Sequence, residues 1–210
     1  MAEVIQYFST LPWLELVAML LALAYVILAA RGSLWCWPAA FISTALYTVV
    51  FYDVLLLMDS ALNVYYLVMA VYGYWIWQKQ HPQVKGQEEG LDVISLSASK
   101  HLKIGAVLTV ISVGLGYIMA NYTPAAFPYL DTFTTVFAVF ATYLVTQKVL
   151  ENWLYWLVID AVSIYLYLEK GLLPTAVLFI IYIVIASYGY IKWHGFYKNN
   201  QPTLTTQVSS

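Results

Sequence analysis

The chain alternates long apolar segments with short polar ones. A membrane-spanning helix needs about 20 apolar residues, with roughly 17 as the lower limit. Segments close to that length occur seven times, and we predict that each forms one transmembrane helix. They run approximately from Leu11 to Ala30, Leu34 to Tyr52, Leu55 to Trp77, Ile104 to Ala120, Asp131 to Leu150, Trp153 to Leu168, and Leu172 to Trp193. The pattern predicts an all-α integral membrane protein.

Two parts of the chain repeat each other. At an offset of 118 positions, Trp35 recurs as Trp153, Tyr47 as Tyr165 and Leu55 as Leu173. At an offset of 116 positions, Tyr66 recurs as Tyr182, Tyr72-Gly73-Tyr74 as Tyr188-Gly189-Tyr190, and Trp77 as Trp193. Each copy holds three spans, so the second would be inverted unless the fourth span restored its direction. We predict a 3+1+3 arrangement of two parallel three-helix repeats.

This arrangement divides the chain into five parts. They are a first three-helix repeat (1–77), a polar connector (78–103), a linker transmembrane helix (104–120), a second three-helix repeat (121–193) and a polar tail (194–210). In both copies, the glycine between two tyrosines is expected to let a neighbouring helix approach closely.

If successive spans cross the membrane in alternating directions, the basic residues are divided very unequally between its two faces. One face of the membrane receives Arg31, Lys79, Lys85, Lys100, Lys103, Lys148, Lys192 and Lys198, and the other receives Lys170 alone. Because basic residues concentrate on the cytoplasmic side, we predict an amino terminus outside the cell and a carboxyl terminus in the cytoplasm.

The composition supports a membrane protein and excludes several other classes. Residues are 62% hydrophobic and only 10% charged, too few ionic groups to coat a soluble globule. The basic residues form no stripe for nucleic acid. Cys36 is alone, and no Cys and His spacing fits a metal site. No catalytic serine set or phosphate-binding glycine loop is visible, so we expect neither an enzyme nor a cofactor.

Asp160 lies seven residues past Trp153, roughly 10 Å into the membrane. A charged carboxylate there costs about 2.5 to 3.5 kcal/mol on insertion scales unless it is hydrated or paired. Two interpretations follow: a packing contact with a tyrosine hydroxyl or backbone group, or a counter-charge for a cationic solute. At an offset of 118 the counterpart of Asp160 is Ile42, and this asymmetry favours the counter-charge.

Other polar and aromatic residues share helical faces with Asp160 or lie in neighbouring spans. The candidate substrate-binding residues are Asp160, Trp156, Asn63, Tyr66, Asn152, Thr135 and Ser163. Aromatic side chains together with one carboxylate suit a flat aromatic cation as the substrate. A cation over an aromatic face gains about 0.5 to 2 kcal/mol of interaction free energy. The alternatives are interhelical hydrogen bonds for the amides and bonds to the carbonyl one turn back for the threonines. Tryptophans 35, 37, 77, 153 and 193 are expected to be interfacial belt anchors.

Three motifs resemble signatures of the Pnu family of bacterial vitamin transporters. They are the run from Asp131 to Thr135, the run from Lys148 to Trp156, and Lys170-Gly171-Leu172. The resemblance covers about Trp35 to Trp193. It implies a fold similar to full-length SWEET proteins, a homotrimer in the bacterial inner membrane, and facilitated diffusion of a vitamin that is trapped inside the cell by phosphorylation.

The resemblance also bears on which vitamin is carried. Members that carry nicotinamide riboside tend to have glutamine at position 63, serine at 138 and glutamine at 142, where this chain has Asn63, Ala138 and Thr142. The run from Asn63 to Tyr66 and the acid at Asp160 look more like the thiamine-carrying PnuT subgroup. Thiamine is the favoured substrate, and nicotinamide riboside is the alternative. A proton-coupled carrier and a non-transporting membrane protein are further hypotheses.

Overall fold

Helices account for nearly all regular structure in the computed structural model, which describes residues 13–53, 57–79, 91–124, 127–171 and 173–200. The helices are α1 (Trp13–Ala30), α2 (Cys36–Asp53), α3 (Leu57–Lys79), α4 (Ala98–Tyr122), α5 (Pro128–Thr146), α6 (Asn152–Glu169) and α7 (Leu173–Asn199). Each predicted span overlaps one helix. The all-α prediction is confirmed.

Helix boundaries differ from the predicted spans by four or more residues at three places, and one of them is the end of α7, at Asn199 instead of Trp193. The fifth span was expected to reach Leu150, but α5 ends at Thr146 because the chain turns through a left-handed conformation at Lys148 (φ 55°). The fourth span was expected from Ile104, but α4 begins at Ala98. Hydropathy marks the part of a helix that suits lipid, and the polar first turn of α4 lies outside that part.

Hydropathy alone recognises only some of the described helices as spans. Ala98–Tyr122, Pro128–Thr146 and Thr175–Asn199 are long and apolar enough to cross a membrane, and the shorter segments Leu16–Ala30 and Cys36–Val49 are apolar too. In α3 and α6 the hydropathy is lowered by polar residues that include Asn63 and Asp160, and both are buried. These polar side chains therefore face other helices.

The helices form two three-helix units that pack in the same way. In one unit α2 packs on α1 and α3, and in the other α6 packs on α5 and α7. Between the units, α1 packs on α7 and α3 packs on α5. A two-fold rotation that places one unit on the other turns the α1–α7 contact into the α5–α3 contact. The two contacts are therefore equivalent. α4 packs on α5 and joins the units, so the 3+1+3 arrangement of parallel repeats is confirmed.

The turns after α1 and α5 show that the repeats are offset by 116 residues. Gly32 and Lys148, 116 positions apart, both have left-handed backbones, with φ of 71° and 55°. In each turn the next amide donates to a carbonyl five residues back, at 2.9 Å after α1 and 3.0 Å after α5. This hydrogen-bond pattern ends many helices and usually places glycine where Lys148 stands.

Two glycine–tryptophan contacts have the same offset and correct the predicted alignment. A Cβ at Gly189 would lie 2.7 Å from the Trp153 ring, and a Cβ at Gly73 would overlap the Trp37 ring. Close approach at both glycines was predicted and is confirmed. Trp37 is therefore the counterpart of Trp153, and the prediction of Trp35 at an offset of 118 is wrong. Trp35 is 73% exposed, whereas Trp153 is 2% exposed.

Four tryptophans form a layer at the end of the bundle that carries these two turns. This tryptophan layer consists of Trp37, Trp77, Trp153 and Trp193. Trp37 meets Trp77 edge to face at 5.2 Å between ring centroids, and Trp153 meets Trp193 edge to face at 5.4 Å. All four side chains are buried. The prediction that they anchor at the lipid interface is wrong, because their rings pack against each other inside the bundle.

The tryptophan layer also joins the repeats by hydrogen bonds. Trp193 Nε1 donates to the carbonyl of Ala29 at 3.0 Å, and Trp77 Nε1 donates to the carbonyl of Thr146 at 3.2 Å. Each indole thus reaches from one repeat to the end of the first helix of the other repeat. Because both bonds are buried, each contributes to holding this end of the bundle closed.

Residues 91–97, called the docked connector below, cover the tryptophan layer. Leu91 packs near Gly32, and Leu91 and Val93 belong to the same buried cluster as the four tryptophans. The Ile94 amide donates to the Lys148 carbonyl at 3.0 Å. The Glu151 carboxylate accepts hydrogen bonds from Ser95 Oγ and, at 3.2 Å, from the Leu96 amide. The sequence predicts a polar connector over residues 78–103, and this part of it is packed onto both turns.

Candidate functional site

A cavity of about 270 Å³ lies between the two repeats. Its aromatic lining residues are Tyr25, Trp37, Tyr47, Tyr66, Trp153, Trp156, Phe179 and Tyr182. Its polar side chains other than the aromatic ones are Ser43, Thr44, Asn63, Thr142 and Asp160. Trp37 and Trp153 also belong to the tryptophan layer, so that layer forms one end of the cavity.

Matching positions of the two repeats line this cavity. At the offset of 116, the lining pairs are Val26 with Thr142, Ala29 with Val145, Trp37 with Trp153, Ala40 with Trp156, Thr44 with Asp160, Asn63 with Phe179, Tyr66 with Tyr182, and Ala70 with Ala186. The cavity therefore straddles the two-fold relation between the repeats. Some pairs are identical and others differ strongly in size, polarity or charge.

Asp160 is the carboxylate among the residues that line the cavity. It lies on α6, one turn beyond Trp156, and is 3% exposed. The rest of the lining is mostly aromatic and aliphatic, so little around the carboxylate replaces the hydration of its charged form. At the corrected offset its counterpart is Thr44, and the predicted counterpart Ile42 is wrong. Ile42 is 48% exposed and does not line the cavity.

The serine and threonine hydroxyls of the cavity donate to backbone carbonyls. Thr44 Oγ1 donates to the Ala40 carbonyl at 2.8 Å, and Thr142 Oγ1 donates to the Ala138 carbonyl at 2.8 Å. Ser43 Oγ donates to a carbonyl of α1 at 2.8 Å. The back-bonding expected for the fifth-span threonines is present at Thr142. Each of these oxygens keeps lone pairs that can accept a further hydrogen bond.

The structure brings four of the seven candidate residues together in the cavity lining. These four are Asp160, Trp156, Asn63 and Tyr66. Asn152, Ser163 and Thr135 are not among the lining residues. Asn152 is fully buried and its Nδ2 donates to the Val149 carbonyl at 2.7 Å. Ser163 is buried within the bundle, and Thr135 is exposed.

Several lining residues lie outside the candidate set from sequence. They include Tyr25, Tyr47, Tyr182 and Thr44. The internal repeat could have identified Tyr182 and Thr44, because at an offset of 116 they are the counterparts of the candidates Tyr66 and Asp160. Tyr25 and Tyr47 are two among many tyrosines in apolar spans, and only packing distinguishes them.

A known family matches almost all of this helical region. The family described as nicotinamide mononucleotide transporter matches residues 12–195. The chain belongs to this family. The resemblance to Pnu transporters is thereby confirmed, and the protein is a multi-pass membrane protein of a vitamin-transporter family.

Individual relatives are distant and differ in the vitamin for which they are named. The nicotinamide riboside transporter PnuC of Escherichia coli is 26% identical, over 87% of this chain and 85% of its own. The riboflavin/roseoflavin transporter RibM of Streptomyces davaonensis is 24% identical, over 86% of this chain and 84% of its own. The crystal structure of the vitamin B3 transporter PnuC has a TM-score of 0.75 and 24% identity, covering 95% of this chain and 88% of that one. It shows the same fold.

Proposed function

We propose that this protein carries a flat, positively charged vitamin across the membrane, with thiamine as the first candidate. The observation that supports this substrate is Asp160, a buried carboxylate in a cavity whose other walls are mostly aromatic and aliphatic. An aromatic cation would gain contact with the ring faces and would neutralise the carboxylate. The substrate-contacting residues in this proposal are Asp160, Trp156, Asn63 and Tyr66.

Nicotinamide riboside is the second candidate. It is also a flat cation, and two relatives at 26% and 25% identity are named as its transporters. Thiamine comes first because Asn63, Ala138 and Thr142 differ from the residues expected in the nicotinamide riboside carriers. Riboflavin, named for a third relative, is neutral and would leave the Asp160 charge unbalanced.

The family resemblance supports the remaining parts of the proposal. The protein would act without chemical conversion of its substrate, by facilitated diffusion in the bacterial inner membrane, with phosphorylation inside the cell preventing return. The basic residues at the α1–α2 turn, the start of α4 and the end of α7 would place the tryptophan layer on the cytoplasmic side. A homotrimer is the proposed assembly.

Thermal stabilisation of the purified protein tests the choice of vitamin. A ligand that binds only the folded form at 100 times its dissociation constant stabilises it by about 2.7 kcal/mol. We expect thiamine to raise the melting temperature most, nicotinamide riboside less and riboflavin least. Stabilisation by riboflavin alone would contradict the proposed cation site, and stabilisation by nicotinamide riboside alone would replace thiamine with the second candidate.

Transport in proteoliposomes tests whether binding leads to movement. Vesicles that enclose a kinase for the vitamin should accumulate the labelled compound without an imposed ion gradient. Accumulation that requires a pH gradient would replace facilitated diffusion with proton coupling. No flux of any of the three vitamins, despite binding, would favour a receptor.

A further inference from the structure

Thr44 occupies the position in the first repeat that Asp160 occupies in the second. Both residues line the cavity, and they are 116 positions apart. Each lies four residues beyond another lining residue, Ala40 in one repeat and Trp156 in the other. A ligand between the repeats therefore has Asp160 on one side and the Thr44 hydroxyl at the matching place on the other.

The hydrogen bonds of Thr44 determine what its hydroxyl can offer a ligand. Its single proton points to the backbone of its own helix, with Oγ1 at 2.8 Å from the Ala40 carbonyl and 3.2 Å from the Phe41 carbonyl. A hydroxyl has one proton and two lone pairs. While the proton remains in this bond, Thr44 can accept a hydrogen bond from a ligand and cannot donate one.

The neighbouring hydroxyls and the carboxylate have the same preference. Ser43 and Thr142 also donate their protons to backbone carbonyls, both at 2.8 Å. An ionised Asp160 only accepts. The non-tyrosine oxygens of the cavity wall are thus predominantly acceptors, which suits a ligand that presents N–H groups as well as positive charge.

Building on the proposed function, we infer that Thr44 is a specificity-determining residue that accepts a hydrogen bond from an exocyclic amino group of the substrate. The substrate then lies with its cationic ring toward Asp160 in the second repeat and its NH₂ group toward Thr44 in the first. Both candidate vitamins have such a group, the ring amine of thiamine and the carboxamide of nicotinamide riboside. An analogue with oxygen in place of that nitrogen would present an acceptor to an acceptor.

The test is a comparison of dissociation constants for the amino vitamin and its oxo analogue, measured by calorimetry. Thr44→Val keeps the shape of the side chain and removes the acceptor. We expect it to weaken binding of the amino vitamin about three- to tenfold, the range for one neutral hydrogen bond, and to leave the oxo analogue unchanged. Thr44→Ser should restore the preference for the amino vitamin.

Thr48→Val is the matched control. Thr48 lies one turn further along α2 and makes the same bond to its own helix, 2.7 Å to the Thr44 carbonyl, but it does not line the cavity. It should not change either dissociation constant. Equal effects of Thr44→Val on both ligands, or no effect on either, would overturn the inference while leaving the proposed function intact. If the wild-type protein binds neither candidate vitamin, the proposed function fails and the inference fails with it.

Discussion

The two repeats share the parts that close the bundle and differ in the parts that face the cavity. Both have the left-handed turn, the glycine that accommodates a tryptophan, and an indole that donates to the other repeat. Around the cavity, the first repeat has Ala40, Thr44 and Asn63 at the positions where the second has Trp156, Asp160 and Phe179. The shared positions build a symmetric scaffold, and the divergent positions let it recognise a ligand that is not symmetric.

The glycine contacts are where the scaffold is most sensitive. Gly189→Ala would place a methyl group 2.7 Å from the Trp153 ring system. Overpacking of this kind costs about 1–3 kcal/mol and occasionally more. We expect a large fall in the melting temperature in detergent or loss of folded protein. Gly73→Ala should behave in the same way in the first repeat.

Gly195→Ala is the control for these variants. Gly195 lies on the same helix as Gly189, but an added Cβ there meets no atom within 4 Å. Because alanine is the better helix former, by about 0.8–1.0 kcal/mol, Gly195→Ala should be neutral or stabilising. Equal destabilisation by Gly189→Ala and Gly195→Ala would contradict the role of the tryptophan contact.

The indole hydrogen bonds should contribute similarly in the two repeats. Trp77→Phe and Trp193→Phe each remove one buried indole hydrogen bond, at a cost of about 0.5–1.5 kcal/mol, and the Ala29 carbonyl keeps the Gly32 amide as a donor at 2.9 Å. We expect comparable falls in unfolding free energy, measured by reversible denaturation in detergent. Trp35→Phe should have no effect, because Trp35 is 73% exposed. A large effect in only one repeat would show that the cross-repeat bonds are not equivalent.

Glu151 breaks the symmetry at the tryptophan end, since its counterpart is Trp35. Its carboxylate accepts bonds from Ser95 and Leu96 and lies 3.5 Å from His101 Nε2. Glu151→Ala should release the docked connector, and hydrogen exchange in residues 91–97 should accelerate about tenfold, which corresponds to about 1.4 kcal/mol. Glu169→Ala, at an exposed position at the end of α6, is the control. Unchanged exchange would show that apolar burial of Leu91 and Val93 is sufficient.

Lys148, in the turn after α5, should make the free energy of unfolding depend on pH, and this effect is smaller than those above. Burial lowers the pKa of Lys148 below the ordinary lysine value of 10.5, and Asp92 opposes this only in part. Between the lowered pKa and 10.5 the unfolded chain binds more protons, so the unfolding free energy should rise with pH in that window. The slope should disappear in Lys148→Met and persist in Lys192→Met, an exposed control. An identical slope in both variants would assign it to another group.

The sequence was sufficient for the architecture and insufficient for its alignment. Long apolar segments predict helices because lipid leaves the backbone few alternatives. Trp35 and Trp37 lie two residues apart, and sequence similarity to the second repeat did not show which one turns inward. An offset of 118 pairs Asp160 with Ile42, whereas the offset of 116 in the structure pairs it with Thr44. Burial of Trp37, Trp77 and their counterparts depends on contacts between helices, which local hydropathy does not encode.

The candidate site was predictable to the extent that it depended on polarity within a span. Asp160 and Asn63 are polar residues inside apolar helices, and both line the cavity. Asn152 shares a helical stripe with Asp160, but it lies at the first residue of α6, where its side chain bonds to the preceding turn. Helical spacing therefore predicts which face of α6 is buried, but it does not predict how far along that face the cavity extends.

The central claim is that Asp160 balances a positive charge on the substrate, and one measurement addresses it directly. Dissociation constants would be compared for thiamine and for a neutral isostere with carbon in place of the thiazolium nitrogen, in the wild-type protein and in Asp160→Asn. Asp131→Asn, at the opposite end of the bundle beside Lys170, is the control. We predict that the wild-type protein and the control prefer the cation at least about tenfold, and that Asp160→Asn loses this preference. An undiminished preference in Asp160→Asn would contradict the account.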